Sequence, residues 1–177
     1  ALVHHLGIGH GHSFERLSYR EAFMALAGFD PHVADLPALR AAWPQVDLGA
    51  EADDRDAWLD LWMSHRVGPR LGDPRPVFLY DFPASQAALA RIRPGEPPLA
   101  ERFELFWRGV ELANGFHELG DAQEQRRRFE ADLAWRRDRQ RPVPPLDTHL
   151  IDALQAGLPP CAGVALGVDR LLMLAQG

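Results

Sequence analysis

The sequence predicts an α+β fold in which helices come first and an antiparallel sheet follows. Three observations carry that expectation. Helical periodicity dominates the first third of the chain. The stretch "VFLYDFP", from Val77 to Pro83, is an apolar run bounded by prolines on both sides and reads as a buried strand. Two further apolar-rich segments meet at Arg108-Gly109, a pair suited to a tight hairpin turn. At 177 residues the chain fits one unit, helical over residues 1–70 with its sheet over 76–177, and a chain of that size buries roughly 70% of its unfolded surface.

The opening, "ALVHHLGIGHGHSFERLSYREAF", reads as an apparent helix already under way at Ala1. In "SYREAFMALAGF", Ser18 serves as N-cap, Glu21 as its capping-box partner, Ala22, Phe23 and Leu26 as the apolar face, and Gly28 as the stop. "DDRDAWLDLWMSHRVG" repeats the pattern, with Trp58, Leu61 and Trp62 on one core-facing stripe and Gly68-Pro69 beyond the end. "GPRLGDPRP" breaks the periodicity before the Val77 strand, and "RIRPGEPPLAE" reads as a second loop. From Asp121 to Arg141 runs a strongly charged helix with a thin stripe of Ala122, Phe129 and Leu133. Its seven arginines suit a solvated, salt-bridged face or an acidic partner. "DTHLIDALQAG" is a short helix capped by Asp147 or Thr148, and "PPCAGVALGVDRLLMLAQG" closes the chain as a strand and a helix.

A net charge of -6 argues against a broad, non-specific nucleic-acid footprint. A single cysteine, Cys161, cannot form an internal disulfide and lacks an evident histidine partner for nucleophilic work. The chain shows no signal-peptide pattern, and no apolar run approaches the ~18 residues that span a bilayer, so the expected setting is the cytoplasm without membrane attachment. There is no lysine; all nineteen basic residues are arginine, a bias we assign to genomic base composition.

The segment "AERFELFWRGVELANGFHELGD" places Glu104, Glu111 and Glu118 at intervals of seven. With Arg108-Gly109 as the loop, Trp107 faces Val110, Phe106 faces Glu111 and Glu104 faces Ala113. Alternation then gathers Glu104, Phe106, Glu111 and Ala113 on one face, with Phe103, Leu105, Trp107, Val110 and Leu112 on the other. Glu104 and Glu111 become diagonal neighbours. Two like charges about 4 Å apart repel by about 4 kcal/mol at an effective dielectric of about 20, so the pair calls for a cation or a shared proton. Magnesium, which favours carboxylate oxygens and bridges to phosphate, answers that need. Glu118 returns to the carboxylate face only through a phase shift, for which a bulge at Asn114-Gly115 is the expected place. A partly exposed hairpin with ordinary surface glutamates and a simple Asn-Gly turn meets the same spacing.

"RFELFWRGVELANGFHELGDAQEQRRRF" followed by "GLPPCAGVALGVDRLLML" resembles the carboxyl-terminal half of a class II aminoacyl-tRNA synthetase catalytic domain of the lysyl type. The likeness is closer to its stand-alone, lysyl-tRNA synthetase-related paralogues, the elongation factor P (R)-β-lysine ligases. Lysyl-tRNA synthetases usually carry "EIGNGFSELND" where this chain has "ELANGFHELGD", and Ala113, His117 and "YDFPASQAALA" follow the paralogues. The resemblance implies ATP and Mg2+ as cofactors, with Glu104 and Glu111 as metal ligands. It implies Glu111, Leu112, Gly167 and Arg170 around ATP, with Arg170 catalytic. Asn114, Glu118 and Ala165 would line the site of a lysine-like amino acid. The implied acceptor is a lysine of elongation factor P, with tRNA as the alternative in a lysyl-tRNA synthetase; a non-catalytic binding module with the same fold is the further alternative. The parent protein is expected to be a homodimer. Ala165 stands where the synthetases commonly have glycine, and its methyl is expected to favour a β-amino over an α-amino acid.

The family's first two motifs belong to residues expected upstream of Ala1, and the closing "MLAQG" is expected to truncate the last helix. The chain alone is therefore expected to be inactive. His4, His5, His10 and His12 offer a rival metal site, but no cysteine or carboxylate pattern completes it. "GIGHG" lacks the preceding strand a dinucleotide loop requires, and no Walker-type loop is present.

Overall fold

The computed structural model describes residues 13–176. In chain order these form β1 (Glu15–Ser18), α1 (Tyr19–Leu26), α2 (Leu36–Ala41), α3 (Arg55–Trp62), β2 (Val77–Pro83), β3 (Ile92–Arg93), β4 (Leu99–Trp107) and β5 (Val110–His117). Then follow α4 (Ala122–Asp138), α5 (Thr148–Ala156), β6 (Ala162–Leu166) and α6 (Val168–Gln176). The strands join in one sheet of order β1-β2-β4-β5-β6, with β3 also paired to β4.

The apparent helix at the start does not hold for Glu15–Ser18, which pairs in parallel with Val77–Tyr80. Capping explains the difference. Ser18 sits at ψ 155, its hydroxyl accepts from the Glu21 amide, and the Glu21 carboxylate accepts from the Ser18 amide. An N-cap residue in that conformation requires extended chain before it. The parallel β1–β2 pair makes the sheet mixed, while the β2–β4, β3–β4, β4–β5 and β5–β6 pairings are antiparallel as expected. Ser18→Ala removes the reciprocal cap and is expected to cost about 1 kcal/mol, read from the denaturant midpoint.

α1 ends at Leu26, and Gly28, at φ 84, donates its amide to the Phe23 carbonyl at 2.9 Å. α3 runs from its Asp54 cap to Trp62, widens into a π-helical turn over Met63–Val67, and ends in a 3-10 turn at Gly68–Arg70. The stretch expected to be all loop contains β3, whose Ile92 and Arg93 pair with Ala100 and Leu99. Asp147 caps α5 by accepting from the Leu150 amide at 2.9 Å.

The hairpin forms at the expected two residues. Arg108 and Gly109 both have positive φ, 49 and 74, the pattern of a tight turn whose twist matches its strands. Their amides donate to the Gly72 and Leu71 carbonyls at 2.9 and 2.8 Å, which ties the hairpin tip to the end of the helical region.

Apolar packing occupies both faces of the sheet. On one, Tyr19, Phe23, Trp58, Leu59 and Trp62 pack with Val77, Leu79, Phe82, Ala100 and Phe106. On the other, Leu171 of α6 packs with Leu105, Trp107, Leu112 and Ala113. The face that carries Glu104 is therefore not wholly open: α1 and α3 cover part of it. At the far edge, among the described residues, β6 pairs only with β5, and Val164, Val168 and Met173 are each more than half exposed.

Candidate active site

Register decides which residues meet. Phe106 pairs with Glu111 as expected, but Leu105 then pairs with Ala113, so Leu112 is the extra residue of a bulge. Glu104 therefore faces Asn114, not Ala113, and Arg102 faces Phe116. Asn114, Phe116 and, by continued alternation, Glu118 share the face of Glu104 and Glu111. The phase shift exists but lies two residues before the expected Asn114-Gly115. Two packing facts account for its place. The bulge sends both Leu112 and Ala113 into the Leu171 cluster, where each is buried. Gly115 stays in register because its missing side chain leaves room for the Phe103 ring, which lies where a Cβ would project.

Glu104 is 7% exposed, opposite Leu79 on one side and Asn114 on the other. Burial pushes its carboxyl up to about 7; Arg102 opposes the shift and the Glu111 charge adds to it. Arg102 forms an ion pair with Glu104. Glu111 lies beside Arg170, whose Nη1 donates to the Glu111 carbonyl at 2.9 Å and stands 3.5 Å from its carboxylate. The Gly167 amide donates to the Leu112 carbonyl at 2.8 Å, and the Gly167 carbonyl accepts from Leu171, which sets Arg170 in the first turn of α6. Glu111, Leu112, Gly167 and Arg170 are thus brought together, Leu112 through its backbone.

Ala165 pairs with Asn114 and shares its face. Glu118 continues from β5, held by its amide to the Cys161 carbonyl at 3.0 Å and by a bridge to Ala90. Among the described residues its carboxylate has no ion-pair or hydrogen-bond partner. One of its oxygens fills the space a Cβ at Gly163 would take. A Cβ at Gly163 would therefore displace that carboxylate.

Sequence reasoning missed a polar layer beside Glu104. Arg102 precedes it by two and so shares its face, a signal that strand alternation offered. Asp56 and Asp60, four apart on α3, accept from Ser85 Oγ at 2.8 Å and Gln86 Nε2 at 2.9 Å. Burial first, and Asp56 second, push Asp60 up to about 6. The buried Tyr19 hydroxyl has no hydrogen-bond partner among the described residues; burial foremost raises its pKa, and Asp60, Glu104 and Asp56 add to the shift. A separate cavity of about 570 Å³ belongs to the opposite side of the sheet, floored by Phe78, Tyr80 and Phe103 with Arg16, Glu101 and His117 at its walls.

The amino-terminal histidines lie outside the described residues. Among the described ones no group of three or more His, Cys, Asp or Glu side chains could hold a metal. Two carboxylates on one face, completed by oxygens of a phosphate ligand, remain a donor set that suits magnesium.

This chain belongs to the class II tRNA synthetases: it matches the family described as "tRNA synthetases class II (D, K and N)" over residues 5–177. The fold class and family expected from the sequence both hold. Among curated proteins it is 52% identical over 166 residues to the elongation factor P (R)-β-lysine ligase of Salmonella arizonae, across 92% of this chain and 51% of that protein. It is 49% identical over 168 residues to the protein of the same name from Vibrio cholerae, across 93% of this chain and 52% of that protein. The chain spans about half the length of the curated relatives it matches.

Proposed function

We propose that this chain forms part of the active site of an ATP-dependent ligase that activates (R)-β-lysine as an aminoacyl-adenylate and transfers it to a lysine of elongation factor P. The observation that carries the reading is the Glu118 carboxylate, without a partner among the described residues, on the same sheet face as the Glu104 and Glu111 pair. An ammonium receptor beside a cation and phosphate site suits a lysine-like amino acid undergoing adenylation. The names of the relatives supply the particular amino acid and acceptor.

Glu104 and Glu111 would hold magnesium, and the mutual charge that helps raise the Glu104 pKa supports the fit. Bound magnesium supplies neutralisation of phosphate charge. Arg170, in the first turn of α6 with its side chain 57% exposed, presents its guanidinium to the triphosphate. Leu112 and Gly167 set the floor under the nucleotide through their backbone bond. Asn114 and Glu118 receive the polar end of the amino acid, and Ala165 trims the space beside them. The amino-acid carboxylate attacks the α-phosphate and pyrophosphate leaves. The lysine amine of elongation factor P then attacks the activated carbonyl, releasing AMP. Positioning and charge neutralisation carry both steps.

The rest of the catalytic domain packs, in this reading, along the open edge of β6, where exposed Val164 and Leu166 support it. The parent is a cytoplasmic homodimer that does not use tRNA. Among the described residues no helix is long and apolar enough to cross a membrane. ATP–pyrophosphate exchange by the complete polypeptide tests the reading. Exchange with (R)-β-lysine exceeding that with α-lysine supports it, and no exchange with either would leave only a binding module. Ala165→Gly is expected to shift the preference toward α-lysine by about tenfold, the scale of one methyl in a fitted pocket.

A further inference from the structure

Arg102 is engaged at every guanidinium nitrogen. Its Nε donates to Asn114 Oδ1 at 3.3 Å, its Nη1 donates to the Gln86 carbonyl at 2.9 Å, and its Nη2 pairs with Glu104. The guanidinium carbon stands 4.5 Å from the centre of the Phe82 ring, and the side chain is 17% exposed. Gln86 is itself held, because its amide donates to Asp60 on α3 at 2.9 Å. A planar fork fixed on three sides has little freedom, so its partners inherit its position. Those partners are one residue assigned to metal and one assigned to the amino acid.

We infer that Arg102 is a positioning residue that couples the two halves of the site, orienting Glu104 for the metal and Asn114 for the amino acid from a fixed anchor at Gln86. The inference rests on the proposed roles of Glu104 and Asn114. In this role Arg102 acts through Glu104 and Asn114. It acts as an outer partner acts on a metal ligand, where loss of orientation weakens affinity by about 10–100-fold. The chain connectivity adds a consequence: the helical region reaches the site through Asp60 and Gln86, so α3 and the sheet are held in one frame by hydrogen bonds as well as by apolar packing.

The test uses pyrophosphate exchange by the complete polypeptide, with Mg2+, ATP and amino acid varied separately and the melting temperature measured alongside. Arg102→Met is expected to raise the Mg2+ half-saturation and the amino-acid KM each by about tenfold or more, with the KM for ATP changing less. Arg102→Lys separates positioning from mere stability. A lysine ammonium can neutralise Glu104 but cannot reproduce the fork, so the Mg2+ half-saturation is expected to recover to within about threefold while the amino-acid KM stays high. The inference is overturned if both parameters stay within twofold of wild type in Arg102→Met. It is also overturned if Arg102→Lys restores both or neither. Should Arg102→Met fail to fold, the split in Arg102→Lys decides alone. Glu104→Gln run in parallel keeps the two readings apart: an unchanged Mg2+ requirement there removes the metal role of Glu104, whatever the Arg102 variants do.

Discussion

Glu118→Gln is expected to lower (R)-β-lysine-dependent exchange by at least about 100-fold in kcat/KM, because it removes the charged partner of a desolvated ammonium. The loss should fall on amino-acid binding and leave the KM for ATP within about twofold, since Glu111 and Arg170, proposed for the nucleotide, meet near the other end of β5. Glutamine keeps the size and one acceptor oxygen, so the fold is retained and a melting curve should overlay that of wild type. A surface glutamate with no role would change neither parameter. That outcome would return the hairpin to the ordinary reading its spacing alone allowed.

The second large effect is a pH dependence centred on Glu104. Its carboxyl is raised from 4.5 to about 7, first by burial under α1 and α3. Magnesium binds the ionised form, so in Mg2+ titrations of the complete polypeptide the half-saturation is expected to fall by up to tenfold per pH unit between pH 6 and about 7, then level off. Stability moves the opposite way. Between 4.5 and about 7 the folded chain keeps a proton that the unfolded chain has lost, so stability declines as pH rises through that window. Asp60, raised from 3.8 to about 6, slopes in the same direction over its own window. Glu104→Gln should flatten the melting temperature between about pH 6 and 7, leaving the Asp60 slope below, and should abolish the pH dependence of the Mg2+ half-saturation. A variant that kept the wild-type Mg2+ profile would contradict the assignment.

Local chemistry explains what was legible in the sequence. The Ser18 capping box, the Val77–Pro83 strand and the Arg108-Gly109 turn each depend on a few adjacent residues, and each formed where expected. The hidden features depend on contacts between distant segments. Glu15–Ser18 is a strand because β2 lies beside it, and nothing in its own four residues announces a parallel partner. The bulge falls at Leu112 because Leu171, 59 positions later, supplies the apolar surface that Leu112 and Ala113 share. The need for a phase shift could be read from Glu118, whereas its position could not. Asp56 and Asp60 read as the polar side of an amphipathic helix, and only the bonds from Ser85 and Gln86, on a distant segment, tie that side to the sheet. The metal, nucleotide and amino-acid roles are what the family resemblance implies; the register puts Glu104, Glu111, Asn114 and Ala165 on one face, and continued alternation adds Glu118.

The proposed function depends most on recognition of the side-chain ammonium of a lysine-like substrate by Glu118. Calorimetric titration of the complete polypeptide, with Mg2+ and a non-hydrolysable ATP analogue present, compares (R)-β-lysine with 3-aminohexanoic acid, which lacks only the terminal amine. Binding is expected to be about 100-fold tighter for (R)-β-lysine, the scale of a lost partner to a buried charge, with Glu118→Gln erasing the difference. Equal affinities in the wild-type protein, or a difference that survives Glu118→Gln, would contradict it.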